Sequence, residues 1–183
     1  MIPPFDHNYV LPPYVGTSPA KRAAQSPYPT DIVEFCQKFA FSPARIAILK
    51  DFVAFRLEFY NQGLNGLIQW IDGSFVEDKM RSLGQEPNDI DVVTIVPGMS
   101  DEQVEKLKKE FPEFVYPSKA KSKFNVDHYL LSVSDPITAI RNTQYWIQLF
   151  SHNRRGVWKG MLEIPLNKDN TDDLTAMSYL NSL

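Results

Sequence analysis

The sequence predicts a mixed α+β domain, in which a mixed β-sheet is flanked by helices. Four segments show helical spacing of apolar residues or helix-capping signals, and short strand-like segments lie between them. Of the 183 residues, 43% are hydrophobic and 22% are charged, which is typical of globular domains. The length fits one domain, so we divide the chain into a proline-rich arm, residues 1–30, and a single domain, residues 31–183.

The arm is predicted to be extended, because proline fixes φ and removes a backbone donor. Prolines cluster at Pro3-Pro4, Pro12-Pro13 and Pro27–Pro29. We expect the arm to lie across the domain surface, since its apolar side chains would otherwise remain in water; a mobile tail is the alternative. The expected anchors are Tyr9, Val10, Leu11 and Tyr14.

The first two helices are predicted from capping signals near Asp31 and at Ser42-Pro43. A serine N-cap followed by proline at the first helical position is a typical helix start, and Gly63 is the expected end of the second helix. Apolar residues recur in this helix at three- and four-residue spacing, which predicts one buried face. The residues of that predicted face are Ile46, Leu49, Val53, Leu57 and Tyr60.

Two later helices have equally clear boundaries. Ser100 with Gln103 three residues later forms a capping-box pattern, and this helix should stop before Pro112. Asp135 followed by proline predicts another helix that runs to about Phe150. Strands are predicted from apolar or alternating patterns in residues 66–72, 90–96, 124–133 and 157–164. The lysine-rich residues 118–123 are interpreted as a loop, and the last residues as an acidic, polar tail.

Two short motifs carry the chemistry. Gly73-Ser74 follows one predicted strand, and Asp89 and Asp91 stand at the start of the next. Because strand side chains alternate, both carboxylates should project to one side while Ile90 and Val92 point into the core. Two carboxylates about 6–7 Å apart repel unless a cation lies between them, and Mg²⁺ prefers such oxygen ligands together with substrate phosphates.

The Gly-Ser turn suits a phosphate for a separate physical reason. Glycine lets the backbone approach a phosphate closely, and the hydroxyl and neighbouring amides can donate to phosphate oxygens. Either motif alone also fits a plain turn or a solvated strand end. Their combination beside two strands favours a nucleotide and metal site formed by Gly73, Ser74, Asp89 and Asp91.

The motif order resembles the polymerase-β-type nucleotidyltransferases, especially their minimal forms. In that superfamily a hydrophobic strand and Gly-Ser precede a short helix, an Asp-x-Asp strand and a third acid on a later strand; Asp127 is the matching third acid here. The chain also resembles small uncharacterised bacterial and phage proteins that share its proline-rich arm and the segment Trp70–Phe75. The connection from Ser74 to Asp89 is somewhat longer than the usual pattern.

The resemblance implies a polymerase-β-like nucleotidyltransferase fold and a function. Asp89 and Asp91 would hold the Mg²⁺, or Mn²⁺, that binds the triphosphate. Asp127 would share a second metal and help to deprotonate an attacking hydroxyl. The expected reaction moves an NMP, with ATP as the expected donor, to a hydroxyl on an acceptor protein or RNA.

Small members of the superfamily often act in toxin–antitoxin or phage-defence pairs, so the resemblance also implies a cognate protein partner. The alternative function is a catalytically weak nucleotidyltransferase-fold module that binds nucleotide or a partner protein, as an antitoxin or regulatory subunit. An intact set of three acids favours the enzyme, and a lack of metal-dependent nucleotide binding would favour the module.

Other sequence features indicate the cellular compartment and the kinds of site that the protein can carry. The single cysteine, Cys36, lies in an apolar helical stretch, which indicates a buried thiol and a reducing cytoplasm. Neither a signal peptide nor a membrane span is expected. Only three histidines occur, too few with one cysteine for a typical zinc site, and His128 should point away from Asp127 on its strand.

Positive charge is confined to short segments. The net charge is -3 and the pI is about 5.6, which argues against a surface dedicated to nucleic acid but allows a local basic groove. Three segments are candidates for phosphate contact, each with ordinary solvent exposure as the alternative. They are Lys79 with Arg81, residues 118–123, and the basic turn at residues 152–156.

Overall fold

A computed structural model describes all 183 residues and confirms the mixed α+β class. Five strands form one mixed sheet in the order β1-β5-β2-β3-β4. The strands are β1 (Tyr28–Pro29), β2 (Ile68–Asp72), β3 (Ile90–Val96), β4 (Val126–Ser132) and β5 (Leu162–Pro165). The helices are α1 (Ile32–Phe39), α2 (Pro43–Asn61), α3 (Lys79–Leu83), α4 (Asp101–Glu110), α5 (Pro112–Val115), α6 (Pro117–Phe124), α7 (Pro136–Phe150) and α8 (Thr171–Asn181).

The pairing of the strands places one end of β2 beside the starts of β3 and β4. β2 runs antiparallel to β3 and to β5, β3 runs parallel to β4, and β1 runs parallel to β5. Because side chains alternate along each strand, the sheet has two distinct faces. The two faces carry different side chains and pack against different helices.

Most of the helices pack against one face of the sheet, which we call the core face. Its strand residues include Ile71, Val92 and Val126, and they belong to a cluster of 30 buried residues from α1, α2, α4, α5, α6 and α8. Cys36 is buried in this cluster. The phenylalanines Phe55, Phe59, Phe111, Phe114 and Phe124 contact one another at its centre.

The opposite face, which we call the acidic face, carries Asp91 and Asp127 and is covered by α7. Its apolar cluster has six buried residues, to which α7 contributes Trp146 and Phe150. Most of the helix surface remains exposed. Tyr129 on the same face is 38% exposed, so α7 covers this face only in part.

The predicted helix starts are confirmed by their caps. The side chains of Asp31, Ser42 and Asp135 accept hydrogen bonds from backbone amides three residues later. Ser100 and Gln103 form both hydrogen bonds of the predicted capping box. Capping is a local interaction, which is why the sequence specified it.

The predicted inward face of α2 is partly wrong. Leu49 and Val53 are buried, but the other three predicted residues are only half-buried. The buried side of this helix instead includes the charged residues Arg45 and Arg56. Because these two residues are charged, the sequence pattern did not identify the buried face correctly. The buried face is rotated slightly around the helix axis from the predicted one. The buried residues are Arg45, Ile48, Leu49, Phe52, Val53, Phe55, Arg56 and Phe59.

Two segments predicted as irregular are helical. Residues 118–123 belong to α6, where Ala120 and Phe124 pack into the core and the lysines face outward. The predicted tail contains α8, which buries Ala176 and Leu180. In contrast, only the last three residues of the predicted strand at residues 157–164 are in a strand, the short β5 (Leu162–Pro165). Sparse apolar residues at helical spacing gave too weak a signal in α6 and α8.

The proline-rich arm packs on the domain as expected. Val10 and Leu11 are completely buried, while Tyr9 stays 39% exposed. The Tyr9 carbonyl accepts from the Asp78 amide at 2.8 Å, and the Leu11 carbonyl accepts from the Gly160 amide at 2.8 Å. Residues Tyr28–Pro29 add β1 to the sheet. None of the helices combines the length and hydropathy needed to cross a bilayer.

Candidate functional site

Three of the predicted site acids meet at one edge of the sheet. Asp91 in β3 lies directly opposite Asp127 in β4. Partners in register project to the same face, and Asp89 precedes Asp91 by two residues on the same side. The three carboxylates therefore lie close together at the start of both strands; alternation predicted this for Asp89 and Asp91, and the resemblance implied it for Asp127.

The Gly-Ser turn lies against the same edge. β2 ends at Asp72, which pairs with Asp91, and a 3₁₀ turn at Gly73–Val76 follows. Gly73 has φ +76°, and a Cβ atom there would overlap the carboxylate of Asp91. Two separate constraints thus require glycine: the left-handed backbone and the close approach of the aspartate. Ser74 is half-buried beside it.

A lysine ammonium occupies the space between two of the acids. Lys121 Nζ lies 2.7 Å from Asp89 Oδ2 and 3.3 Å from Asp127 Oδ2. The lysine projects from α6 and its side chain is 52% exposed. Lys121 bridges two of the carboxylates, and Asp91 lies against Gly73. No three His, Cys, Asp or Glu side chains are positioned to hold a metal ion together.

Asp91 has the most perturbed environment of the three acids. Burial, followed by the neighbouring carboxylates Asp89 and Asp127, raises its pKa to about 6 against partial compensation by Lys159 and Lys121. The ionised form is disfavoured because charge is both desolvated and repelled there. A cation at this edge would relieve that repulsion.

A buried lysine behind the Gly-Ser turn was not predicted from the sequence. Lys159 is 2% exposed, and its Nζ atom lies 3.1 Å from both Asp72 and Glu77. It also donates to the Gly73 carbonyl at 2.8 Å. Burial lowers the pKa of Lys159, but Asp72 and Glu77 outweigh burial and raise it. A lysine within the apolar segment 157–164 was the available signal.

Arg45 is the second missed residue, and it fixes the chain just after Ser74. Its guanidinium is wholly buried and donates to the carbonyls of Phe75 and Glu77 at 2.7 and 2.6 Å. The arm supports the same loop, because Val10 forms a β-bridge with Glu77. The turn is therefore held by α2, by Lys159 and by the arm.

The other sequence candidates lie away from the acids or are engaged elsewhere. His128 points into the core face, as expected, and contacts Phe55, Phe59 and Phe114. Burial lowers its pKa to about 3, so this ring is neutral at physiological pH. Lys79 donates to the Glu86 carbonyl at 3.4 Å.

Comparisons with known proteins add one assignment. No curated protein and no solved structure shows significant similarity to the chain. A family model does match, and it covers residues 3–165, which include the arm, the Gly-Ser turn and all three acids. The chain therefore belongs to DUF6932, a family of unknown function.

Proposed function

We propose that this protein is a Mg²⁺-dependent nucleotidyltransferase of the cytoplasm. It would move an NMP, with ATP as the expected donor, to a hydroxyl on an acceptor protein or RNA. One observation carries the proposal: Asp91 and Asp127 are in register on adjacent strands, and Asp91 lies against Gly73. A strand edge with clustered carboxylates beside a Gly-Ser turn suits a metal-bound triphosphate.

A divalent cation would require these carboxylates to rearrange, because no three of them are now positioned to hold an ion together. The Lys121 ammonium already stands between Asp89 and Asp127, so positive charge is accommodated at this position. Asp89 and Asp91 would hold the ion that binds the triphosphate, and Asp127 would share a second ion. When bound, the metal would neutralise charge on the phosphate oxygens and favour in-line displacement with pyrophosphate leaving.

The protein's own groups would orient the donor and the acceptor. The backbone at Gly73-Ser74 would approach the phosphates, and the Ser74 hydroxyl would donate to a phosphate oxygen. Asp127 would accept the proton of the attacking hydroxyl. Lys159 and Arg45 bind carbonyl oxygens of this turn, and they would thereby keep its geometry fixed during the reaction.

A binding module is the second candidate, and the Lys121 bridge supports it. A lysine that neutralises two of the three carboxylates competes with metal, which would weaken catalysis while leaving nucleotide or partner binding intact. Such a module would act as an antitoxin or regulatory subunit with a cognate protein. The two functions differ in whether labelled nucleotide becomes covalently attached to an acceptor.

Labelling identifies donor and acceptor together. Purified protein is incubated with each α-labelled NTP, Mg²⁺ and cell lysate, and we expect label on a protein or an RNA. Asp127→Asn should reduce labelling by orders of magnitude, because the proton acceptor and one metal ligand are lost. Asp101→Asn, which changes an exposed acid on α4, serves as the matched control.

The outcomes separate the two candidates. Equal labelling by the wild type and Asp127→Asn would remove Asp127 from the reaction. If no NTP gives label, but Mn²⁺ with an NTP raises the melting temperature, the module is supported. If millimolar NTP and metal change neither labelling nor melting temperature, the transferase and a nucleotide-binding module both fail, and only a partner-binding module is left.

A further inference from the structure

We propose that a groove along the outer side of α7 binds single-stranded nucleic acid, and that this strand is the acceptor of the transfer reaction. The acceptor role rests on the proposed function; the binding itself does not. The groove has a volume of about 600 Å³ and runs from the middle of the helix to the turn that follows it. Its walls include Arg141, Tyr145, Gln148, His152 and Arg154.

The groove is locally positive on a chain with a net charge of -3. No acidic residue lines it. Neither Arg141 nor Arg154 takes part in a salt bridge within the chain. Both guanidinium groups are free to contact phosphates, which supply most of the affinity when proteins bind nucleic acids.

An exposed aromatic ring stands between these cations. Tyr145 is 58% exposed, and its ring packs edge-on against Trp146 with the ring centroids 5.0 Å apart. Because Trp146 is buried, this contact ties the exposed tyrosine to the apolar cluster beneath α7. Bases of a single strand stack on such rings in non-sequence-specific sites.

The length of the groove and its polar side chains also suit a single strand. Arg141 and Gln148 are seven residues apart on α7, which corresponds to about 10 Å along the helix axis, enough for two or three nucleotides. Side-chain amides line the groove beside the tyrosine, and amides can pair with base edges that are free in a single strand. An acidic peptide would also pair with the arginines, but it offers no bases to stack on the tyrosine.

Two chains of contacts connect the groove to the acids. Tyr145 packs on Trp146, and the Trp146 ring lies 5.1 Å from the ring of Tyr129, two residues after Asp127 in β4. At the other end, the Ser151 carbonyl accepts from the Lys159 amide at 2.8 Å. The Lys159 side chain reaches Gly73. These contacts join the groove to the elements that carry Asp127 and Gly73, towards which a strand bound in the groove would run.

The binding test needs neither metal nor NTP. The probe is a fluorescein-labelled, mixed-sequence 12-nucleotide RNA, and its anisotropy is measured against protein concentration at two salt concentrations. The variant Arg141→Ala/Arg154→Ala should weaken binding by at least about tenfold and reduce the salt dependence, because two phosphate contacts are lost. The control Arg22→Ala/Lys109→Ala removes the same charge from exposed positions elsewhere and should bind normally.

Variants of the tyrosine test the stacking contact. Tyr145→Ala should weaken RNA binding by about fivefold or more, whereas Tyr145→Phe keeps the ring and should bind normally. Unchanged melting temperatures would show that these surface variants fold. Equal weakening in the groove and control double variants would overturn the proposal. The proposal would also be overturned if the wild type bound polyglutamate as tightly as RNA and Tyr145→Ala had no effect on binding. That result would favour an acidic protein as the ligand.

Failure of the RNA-binding proposal can be distinguished from failure of the proposed nucleotidyltransferase function. RNA binding that depends on the groove, with no nucleotide transfer, would retain the binding site and remove only its acceptor role. Labelling of a protein without RNA binding would retain the transferase and overturn the groove proposal. Labelling of RNA that falls in Arg141→Ala/Arg154→Ala would support both.

Discussion

The two faces of the sheet differ in how they treat charge. On the core face, Arg56 is buried and fully paired: it contacts Asp173 at 2.6 and 3.1 Å and the Gln69 side chain at 2.7 Å. On the acidic face, Asp91 lies beside two other carboxylates, which help burial to raise its pKa to about 6. One face satisfies its charges internally, and the other leaves negative charge in excess.

This difference separates stability from function. Buried charges that are paired and hydrogen-bonded hold a fold together once they are present, because removal of one partner leaves the other unsatisfied. Clustered like charges reduce stability, and they persist most readily where a ligand neutralises them. We therefore expect the core face to provide stability and the acidic face to bind ligand. Substitutions on each face test this expectation.

The largest expected effect is on the core face. Arg56→Met should lower the free energy of unfolding by about 3–5 kcal/mol, because Asp173 would remain buried without its partner. Chemical denaturation measures this loss. Arg155→Met, at an exposed turn, is the control and should change stability by less than about 0.5 kcal/mol. A loss below about 1 kcal/mol for Arg56→Met would contradict the contrast between the faces.

A smaller loss is expected at the Gly-Ser turn. Gly73→Ala should cost about 2–4 kcal/mol, since it adds left-handed backbone strain and an overlap with Asp91. It should also abolish any stabilisation by metal and nucleotide. Gly63→Ala has a similar φ of +69° and open space around the new Cβ atom, so it reports strain alone. Equal losses in the two variants would mean that the Asp91 contact is unimportant.

The local part of this architecture could be predicted from the sequence. Caps such as Ser42 and the Ser100–Gln103 box depend on residues within one helical turn, and alternation placed Asp89 and Asp91 on one side. The position of Asp127 needed more than the pattern. It came from the motif order of a resembling superfamily, and the register of β4 against β3 agrees with it.

The residues that the sequence did not reveal act through long-range contacts. Lys159 is 86 residues from Gly73 along the chain, and Arg45 is 30 residues from Phe75. No local periodicity encodes such pairs. Lys121 was hidden for another reason, because its lysine-rich segment looked like a solvated loop, whereas α6 turns that side chain towards the acids.

On the acidic face, removal of one charge should increase stability. The pKa of Asp91 is raised in the folded state from 3.8 to about 6. Between these values the folded state binds more protons than the unfolded state, so stability falls as pH rises. At pH 7 without metal, Asp91→Asn should therefore gain about 1–2 kcal/mol.

The pH dependence of this gain gives the control. It should disappear below about pH 4, where Asp91 is protonated in both states, and Asp101→Asn at an exposed position should show no comparable gain. Denaturation curves at several pH values measure both. A loss of several kcal/mol in Asp91→Asn would instead identify a structural carboxylate and remove it from the proposed metal site.

The smallest expected effect concerns the lysine that bridges two of the acids. If a cation must displace the ammonium of Lys121 from Asp89 and Asp127, Lys121→Met should bind Mn²⁺ about tenfold more tightly, or about 1.4 kcal/mol. Apo stability should fall by less than about 1 kcal/mol, because Lys121 is half-exposed and such ion pairs are weak.

Lys123→Met is the matched control, since this lysine lies on the same helix but pairs with Glu113 at 2.9 Å. Calorimetric titration with Mn²⁺ at constant ionic strength should find the affinity of this control unchanged. An unchanged affinity in Lys121→Met would place the metal away from the bridged pair. A weaker affinity would mean that Lys121 organises the carboxylates for the metal and does not compete with it, because the two acids would then separate by mutual repulsion once the ammonium was gone.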